Sequence, residues 1–108
     1  MNKPTAVVVG VGAELGLGAA VCRRVAREGY HVLVAGRTRA KLEAVARTIE
    51  VAGGSAEPVP TDATVESEVV QLFDLAMASG SGRDSADLIV FNAGNNQLID
   101  FRSLSAAQ

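Results

Sequence analysis

Apolar residues follow one another along this chain in two alternating rhythms. Ala6-Val7-Val8-Val9 is a continuous run, rich in β-branched residues and ending in glycine, as expected of a parallel strand buried on both faces. From Leu17 to about Glu28 the rhythm changes: Ala20, Val21, Val25 and Ala26 recur at helical spacing, Arg23, Arg24 and Arg27 point elsewhere, and Gly29 ends the pattern. His31 to Ala35 is a second apolar run, stopped by Gly36-Arg37-Thr38. Leu42, Val45, Ala46 and Ile49 then mark a second helix that runs to Gly53-Gly54. Ala56 to Val59 reads as a third strand, and its two prolines, Pro58 and Pro60, predict that it lies at a sheet edge. Thr64 is placed to cap a third helix through about Ala78, carrying Val65, Val69, Leu72, Phe73 and Ala76, before Gly80-Ser81-Gly82 breaks it. Asp87 to Phe91 predicts a fourth strand. Asn92 to Leu104 has no period, and Ser105 with Gln108 matches the start of a capped helix.

Strict alternation of strand and helix predicts a parallel sheet with right-handed crossovers and helices on both faces, a doubly wound α/β fold. The expected strand order is 3-2-1-4, as in a Rossmann half, where the direction of winding reverses after the third strand and opens a crevice beside the first. Residues 1–108 are expected to be the N-terminal part of a single nucleotide-binding domain of this kind. Its fourth strand is expected to be outermost, with one apolar edge facing solvent.

Composition narrows the function classes. A chain of 108 residues has the size of one domain, and 48% hydrophobic against 20% charged residues lies in the ordinary globular range. Lys and Arg total 10 against 12 acidic residues, and no basic stripe interleaves with aromatics, so nucleic acid is not expected as a partner. Cys22 stands alone, which excludes an internal disulfide or a multi-cysteine metal site and suits the cytoplasm. The apolar stretch after Met1-Asn2-Lys3-Pro4 is too short for a signal sequence or a membrane span, so no membrane partner is expected.

The candidate chemistry lies in the glycines. Gly10-Val11-Gly12-Ala13-Glu14-Leu15-Gly16-Leu17-Gly18 leaves a predicted strand and opens a predicted helix, the setting that a dinucleotide-binding loop requires. Glycine turns the chain sharply and lets backbone amides approach a diphosphate, while the helix N-terminus supplies unpaired N–H groups and partial positive charge. A tight strand-to-helix turn with no ligand is the plainer alternative. No Lys-Ser or Lys-Thr pair follows the glycines, so a P-loop is excluded.

The end of the second strand bears on which nucleotide. NAD-selective sites place a carboxylate there for the adenosine ribose hydroxyls. Gly36 occupies that place, followed by Arg37, with Arg39 and Lys41 close by. A guanidinium can hold a 2′-phosphate through paired charge-assisted bonds, so NADP(H) is the expected cofactor and NAD(H) the alternative. The same cations could be only the solvated start of a helix.

The spacing Gly12-x-x-x-Gly16-x-Gly18 resembles the T-G-x-x-x-G-x-G loop of the short-chain dehydrogenase/reductase family, with Val11 in place of the usual Thr. Thr61-Asp62-Ala63 is similar to the family's adenine-contacting segment. Phe91-Asn92-Ala93-Gly94 is similar to its N-N-A-G motif, with Phe91 replacing the first Asn. The resemblance implies that Gly12, Glu14, Leu15, Gly16, Leu17 and Gly18 form the coenzyme loop and that Arg37 and Thr38 lie beside the adenosine ribose. It further implies that Asp62 and Ala63 flank the adenine and that Asn92, Ala93 and Gly94 form the wall beside the ribose and the central sheet. Asp62 could equally be a helix cap. Ser103 to Ala106 resembles the entrance to a helix that the family commonly uses in subunit contacts, which implies a homo-oligomer when intact.

Members of that family move hydride between a nicotinamide cofactor and a carbonyl/alcohol pair, using a Tyr-x-x-x-Lys pair with a Ser and an Asn downstream of this stretch. Tyr30 is the only tyrosine and is followed four positions later by Val34, so it is not that residue. It is expected at the lip of the second strand. His31 has no partner suggested by the sequence, and Cys22 is expected in the core. No catalytic residue and no metal ligand is therefore named, and the chain alone is expected to be inactive. The alternatives are a nucleotide-binding module or sensor without chemistry, and a fragment of an S-adenosylmethionine-dependent methyltransferase. The missing carboxylate at Gly36 weakens the latter.

Overall fold

The computed structural model describes residues 3–12, 16–78, 83–92 and 98–100. Five strands and three helices follow in the order β1 (Lys3–Val9), α1 (Leu17–Arg27), β2 (His31–Gly36), α2 (Arg39–Val51), β3 (Ser55–Pro60), α3 (Glu66–Met77), β4 (Arg83–Asn92) and β5 (Leu98–Asp100). They form one sheet of order β3-β2-β1-β4-β5. The first four strands are parallel, with Val7 opposite Leu33 on one side and Ile89 on the other. The doubly wound fold and the 3-2-1-4 order read from the sequence are both present.

The sheet holds together because its central strands are apolar on both faces. Val8, Val32, Val34 and Ala6 turn toward α1 and α2, where Cys22, Leu42, Val45 and Ile49 complete one core. Val7, Val9, Leu33 and Ala35 turn to the opposite face, against Leu72 and Ala76 of α3. Each fully buried Val or Leu contributes about 1.5–3 kcal/mol. The ladder of β1 and β2 therefore anchors the strand ends from which the loops depart.

Three details differ from expectation. β4 is not the outermost strand, because β5 pairs antiparallel with Val90, Phe91 and Asn92 and covers that end of its edge. β4 also starts at Arg83 rather than Asp87; bulges opposite Lys3 and Thr5 make its first half irregular. Thr64 does not cap α3: the N-cap is Val65, which has no side-chain cap bond. The edge placement of the proline-containing β3 is as expected. Ser105 and Gln108 lie outside the described residues.

Candidate functional site

A cleft of about 420 Å³ opens at the carboxyl ends of β1, β2 and β3, lined by Val9 to Gly12, Gly36 to Thr38, Lys41 and Thr61 to Thr64. Its floor is set by backbone bonds. The N–H groups of Gly10 and Val11 both donate to the Ala35 carbonyl, at 3.0 and 2.9 Å, and Thr61 N–H donates to the Gly36 carbonyl at 2.6 Å. Gly10 makes the turn out of β1 at φ 91°, in the left-handed region that favours glycine. Gly36 is required for a different reason. A Cβ there would overlap the Val11 carbonyl and come within 3.0 Å of Leu42 Cδ2. The missing carboxylate at the end of β2 therefore leaves room for the glycine turn itself.

On the far side of that turn, α1 begins at Leu17 with Gly16 as an extended N-cap that makes no side-chain cap bond, and its first turn carries no acidic residue. The first N–H groups of a helix lack intrahelical partners, and here the N-cap residue has no side chain to satisfy them. Gly18 is buried and Leu17 is 37% exposed. Glu14, Leu15, Ala93 and Gly94 lie outside the described residues, and for Asn92 only its backbone place at the end of β4 is described.

The cations divide. Arg37 is exposed at the mouth of the cleft and makes no hydrogen bond or ion pair among the described residues, and Lys41 also lines the cleft. Arg39 instead points along α2 to Glu43 at 3.4 Å and is not among the lining residues. Opposite, Asp62 Oδ1 accepts from both the N–H and the hydroxyl of Thr64, at 2.9 and 2.6 Å, and Glu68 reaches back to the Asp62 N–H at 2.7 Å. The Thr64 hydroxyl and N–H hold the Asp62 carboxyl below the usual carboxylate range, and the positive charge of Arg37 adds to the effect. Asp62 therefore organises the turn before α3 while lining the cleft; it does not cap the helix, whose N-cap is Val65, and its place beside the cleft is compatible with the adenine role. Lys41, read from the sequence as a cation near Arg37, and Val11 of the glycine turn both line the cleft; Thr64, expected only as a helix cap, lines it too, and the Asp-x-Thr spacing was the available signal.

These groups suit a dinucleotide. The glycine turn has open space where a Gly12 Cβ would stand, and a guanidinium and an ammonium line the cleft from the β2 end, where they could meet anionic oxygens.

Other chemistry-bearing residues lie elsewhere. Tyr30 packs half-buried against the α1/α2 core, and burial pushes the Cys22 thiol up to about 12. His31 starts β2, roughly 16 Å of strand away from Gly36. Contrary to expectation it has partners, Ser55 and Glu57. A depression of about 480 Å³ against Arg23, Arg27, Gly53 and Gly54 lies on the α1/α2 side, away from the glycine turn. Among the described residues there is no cluster of three or more metal-ligating side chains, and no helix is long and apolar enough to cross a membrane.

Comparison with known proteins agrees with this fold. A fatty acyl-CoA reductase from Acinetobacter baylyi is 38% identical over 95 residues, which is 88% of this chain and 31% of that protein. The solved hydroxysteroid dehydrogenase of Escherichia coli superimposes with a TM-score of 0.75 at 30% identity, over 86% of this chain and 37% of that one. A metagenomic short-chain oxidoreductase solved in complex with NADP gives 0.66 at 31% identity, over 80% of this chain and 38% of that one. The chain thus spans about a third of the length of the relatives it matches. The family model for short chain dehydrogenases matches residues 5–108, and the chain belongs to that family of NAD(P)-dependent oxidoreductases.

Proposed function

We propose that residues 1–108 are the N-terminal part of a single coenzyme-binding domain, and that the domain prefers NADP(H) to NAD(H). The observation that carries this reading is the pairing of Gly36 with Arg37. No side chain fits at 36 to meet the ribose hydroxyls, and the next residue offers at the cleft mouth a guanidinium with no hydrogen bond or ion pair among the described residues. The NADP held by the metagenomic relative supports the same choice.

In this reading Gly12, Gly16 and Gly18, with the intervening Glu14, Leu15 and Leu17, bring backbone amides to the diphosphate. Arg37 and Thr38 hold the 2′-phosphate end, and Lys41 adds charge. Asp62 and Ala63 border the adenine, the Asp62 oxygen opposite the Thr64 bonds being available to its amino group. Asn92, Ala93 and Gly94 close the side toward β4. The bound coenzyme supplies hydride exchange with a small carbonyl or alcohol. In this reading the titratable groups lining the cleft, Lys41 and Asp62, serve the phosphate and adenine ends rather than the exchange, so its acid or base comes from elsewhere in the longer protein and this chain alone does not turn over. In the same reading the intact protein works in the cytoplasm as a homo-oligomer.

Titration of the chain with NADPH and NADH, beside Arg37→Ala, tests the assignment. Hydrogen bonds to charged groups contribute about 1.5–3 kcal/mol. The substitution should therefore weaken NADPH by roughly 10- to 150-fold and leave NADH unchanged. Equal affinity for the two coenzymes in the unaltered chain would remove the assignment.

A further inference from the structure

At the opposite end of the sheet, His31 of β2 stands in register with Ser55 of β3, and Glu57 follows on the same face of β3 two residues later. Ser55 Oγ lies 2.6 Å from His31 Nδ1, and Glu57 Oε1 lies 3.5 Å from His31 Nε2. A carboxylate can only accept, so in the neutral ring Nε2 carries the hydrogen and Nδ1 presents its lone pair to the serine hydroxyl. The hydroxyl therefore donates into a ring that a carboxylate orients and polarises from behind. This is the electronic arrangement of a Ser-His-acid relay, with the two ring nitrogens exchanged. The imidazole is sheltered, its side chain 16% exposed, while Glu57 is 45% exposed at the sheet edge. Thr5, the register partner of His31 on the other side, does not compete, because its hydroxyl donates to the Asp84 carbonyl at 2.5 Å.

We propose that Ser55 is a nucleophile that takes an acyl group from activated esters and thioesters, with His31 as its base and Glu57 as the residue that positions His31. Ser55 Oγ attacks the acyl carbon, the new Oγ–C bond forms, and the bond from that carbon to the leaving oxygen or sulfur breaks. The leaving group departs with the electron pair, and the serine proton passes to His31 Nδ1 and on to solvent; nothing is oxidised or reduced. The site lies a strand length from the coenzyme cleft and acts independently of it.

The test is incubation of the full chain with p-nitrophenyl acetate, following p-nitrophenolate release and mapping the acetyl group by peptide mass spectrometry. The expected result is one acetyl group at Ser55, with Ser67 on the exposed face of α3 unmodified, and no modification of Ser55→Ala at this site. General-base assistance is worth about 10²–10⁴-fold. His31→Gln should therefore slow acetylation of Ser55 at least about 100-fold. Glu57→Gln should fall between the two with an unchanged melting temperature, a result that a purely structural role for Glu57 would not produce. Acetylation of Ser55 at the same rate in His31→Gln, or no acetylation of Ser55 in the unaltered chain, would overturn the proposal. Should His31→Gln fail to fold, the ratio of Ser55 to Ser67 acetylation in the unaltered chain decides: preference for Ser55 supports it and equal labelling refutes it.

Discussion

Installing a carboxylate at position 36 is the obvious way to convert the cleft from NADPH to NADH, and the structure predicts that it fails. The first atom of any side chain there overlaps the Val11 carbonyl and presses on Leu42 Cδ2. Neither neighbour yields readily, since Val11 N–H is tied to the Ala35 carbonyl at 2.9 Å and Leu42 is fully buried. Overfilling a packed site costs about 1–3 kcal/mol. At about 4–8 °C per kcal/mol for a domain of this size, the melting temperature of Gly36→Asp should drop accordingly. If the strain is relieved by moving the glycine turn, the diphosphate amides move with it. A similar 1–3 kcal/mol then weakens NADPH and NADH alike by roughly 5- to 150-fold. Because the damage comes from Cβ, Gly36→Ala should lose as much stability as Gly36→Asp, whereas exposed Arg37→Ala should melt like the unaltered chain. Thermal melts and coenzyme titrations on the three variants check this. A Gly36→Asp chain that melts normally and binds NADH more tightly than NADPH would refute the steric argument.

Two further outcomes follow from the titrating groups. The Asp62 carboxyl is lowered in the fold, so its contribution to stability is present above the ordinary carboxylate value of 3.8 and is lost as pH falls through the folded value. Asp62→Ala should be less stable than the unaltered chain at pH 7, and denaturation at a series of pH values should show the gap closing in acid; a gap that widens in acid contradicts the Thr64 bonds. The Cys22 thiol is raised from 9.0 to about 12, so the fold favours the neutral form, and stability should decline as pH climbs from about 9 toward 12. Against an aromatic disulfide reagent at pH 8, Cys22 should react only after denaturant is added, and rapid reaction of the native chain would show that the α1 packing is wrong.

What could be read in advance was whatever depends on local periodicity. The valines of β1, the Leu42-Val45-Ala46-Ile49 stripe and the glycine turn announce themselves because burial on two faces, burial on one face and a sharp reversal each leave a distinct spacing. The start of β4 was hidden because bulges opposite Lys3 and Thr5 break the period of two, and β5 is too short, at three residues, to show one. At the cleft, Gly36 and Arg37 were legible as neighbours in sequence. That Arg39 turns away to Glu43 depends on side-chain reach along a helix, and both outcomes are consistent with the same letters. His31 and Glu57 are 26 positions apart, and only the parallel register of β2 and β3 brings them together.

The prolines of β3 have a consequence beyond marking an edge. In an extended strand successive amides point to opposite sides, and Thr61 N–H points inward, to Gly36. Positions 58 and 60 therefore point outward, where proline has no hydrogen to give. Along the half of its rim nearest the cleft, the sheet offers carbonyls but no donors at those two places, so an incoming strand from another molecule finds no ladder to continue. The β3 edge resists polymerisation without a covering element.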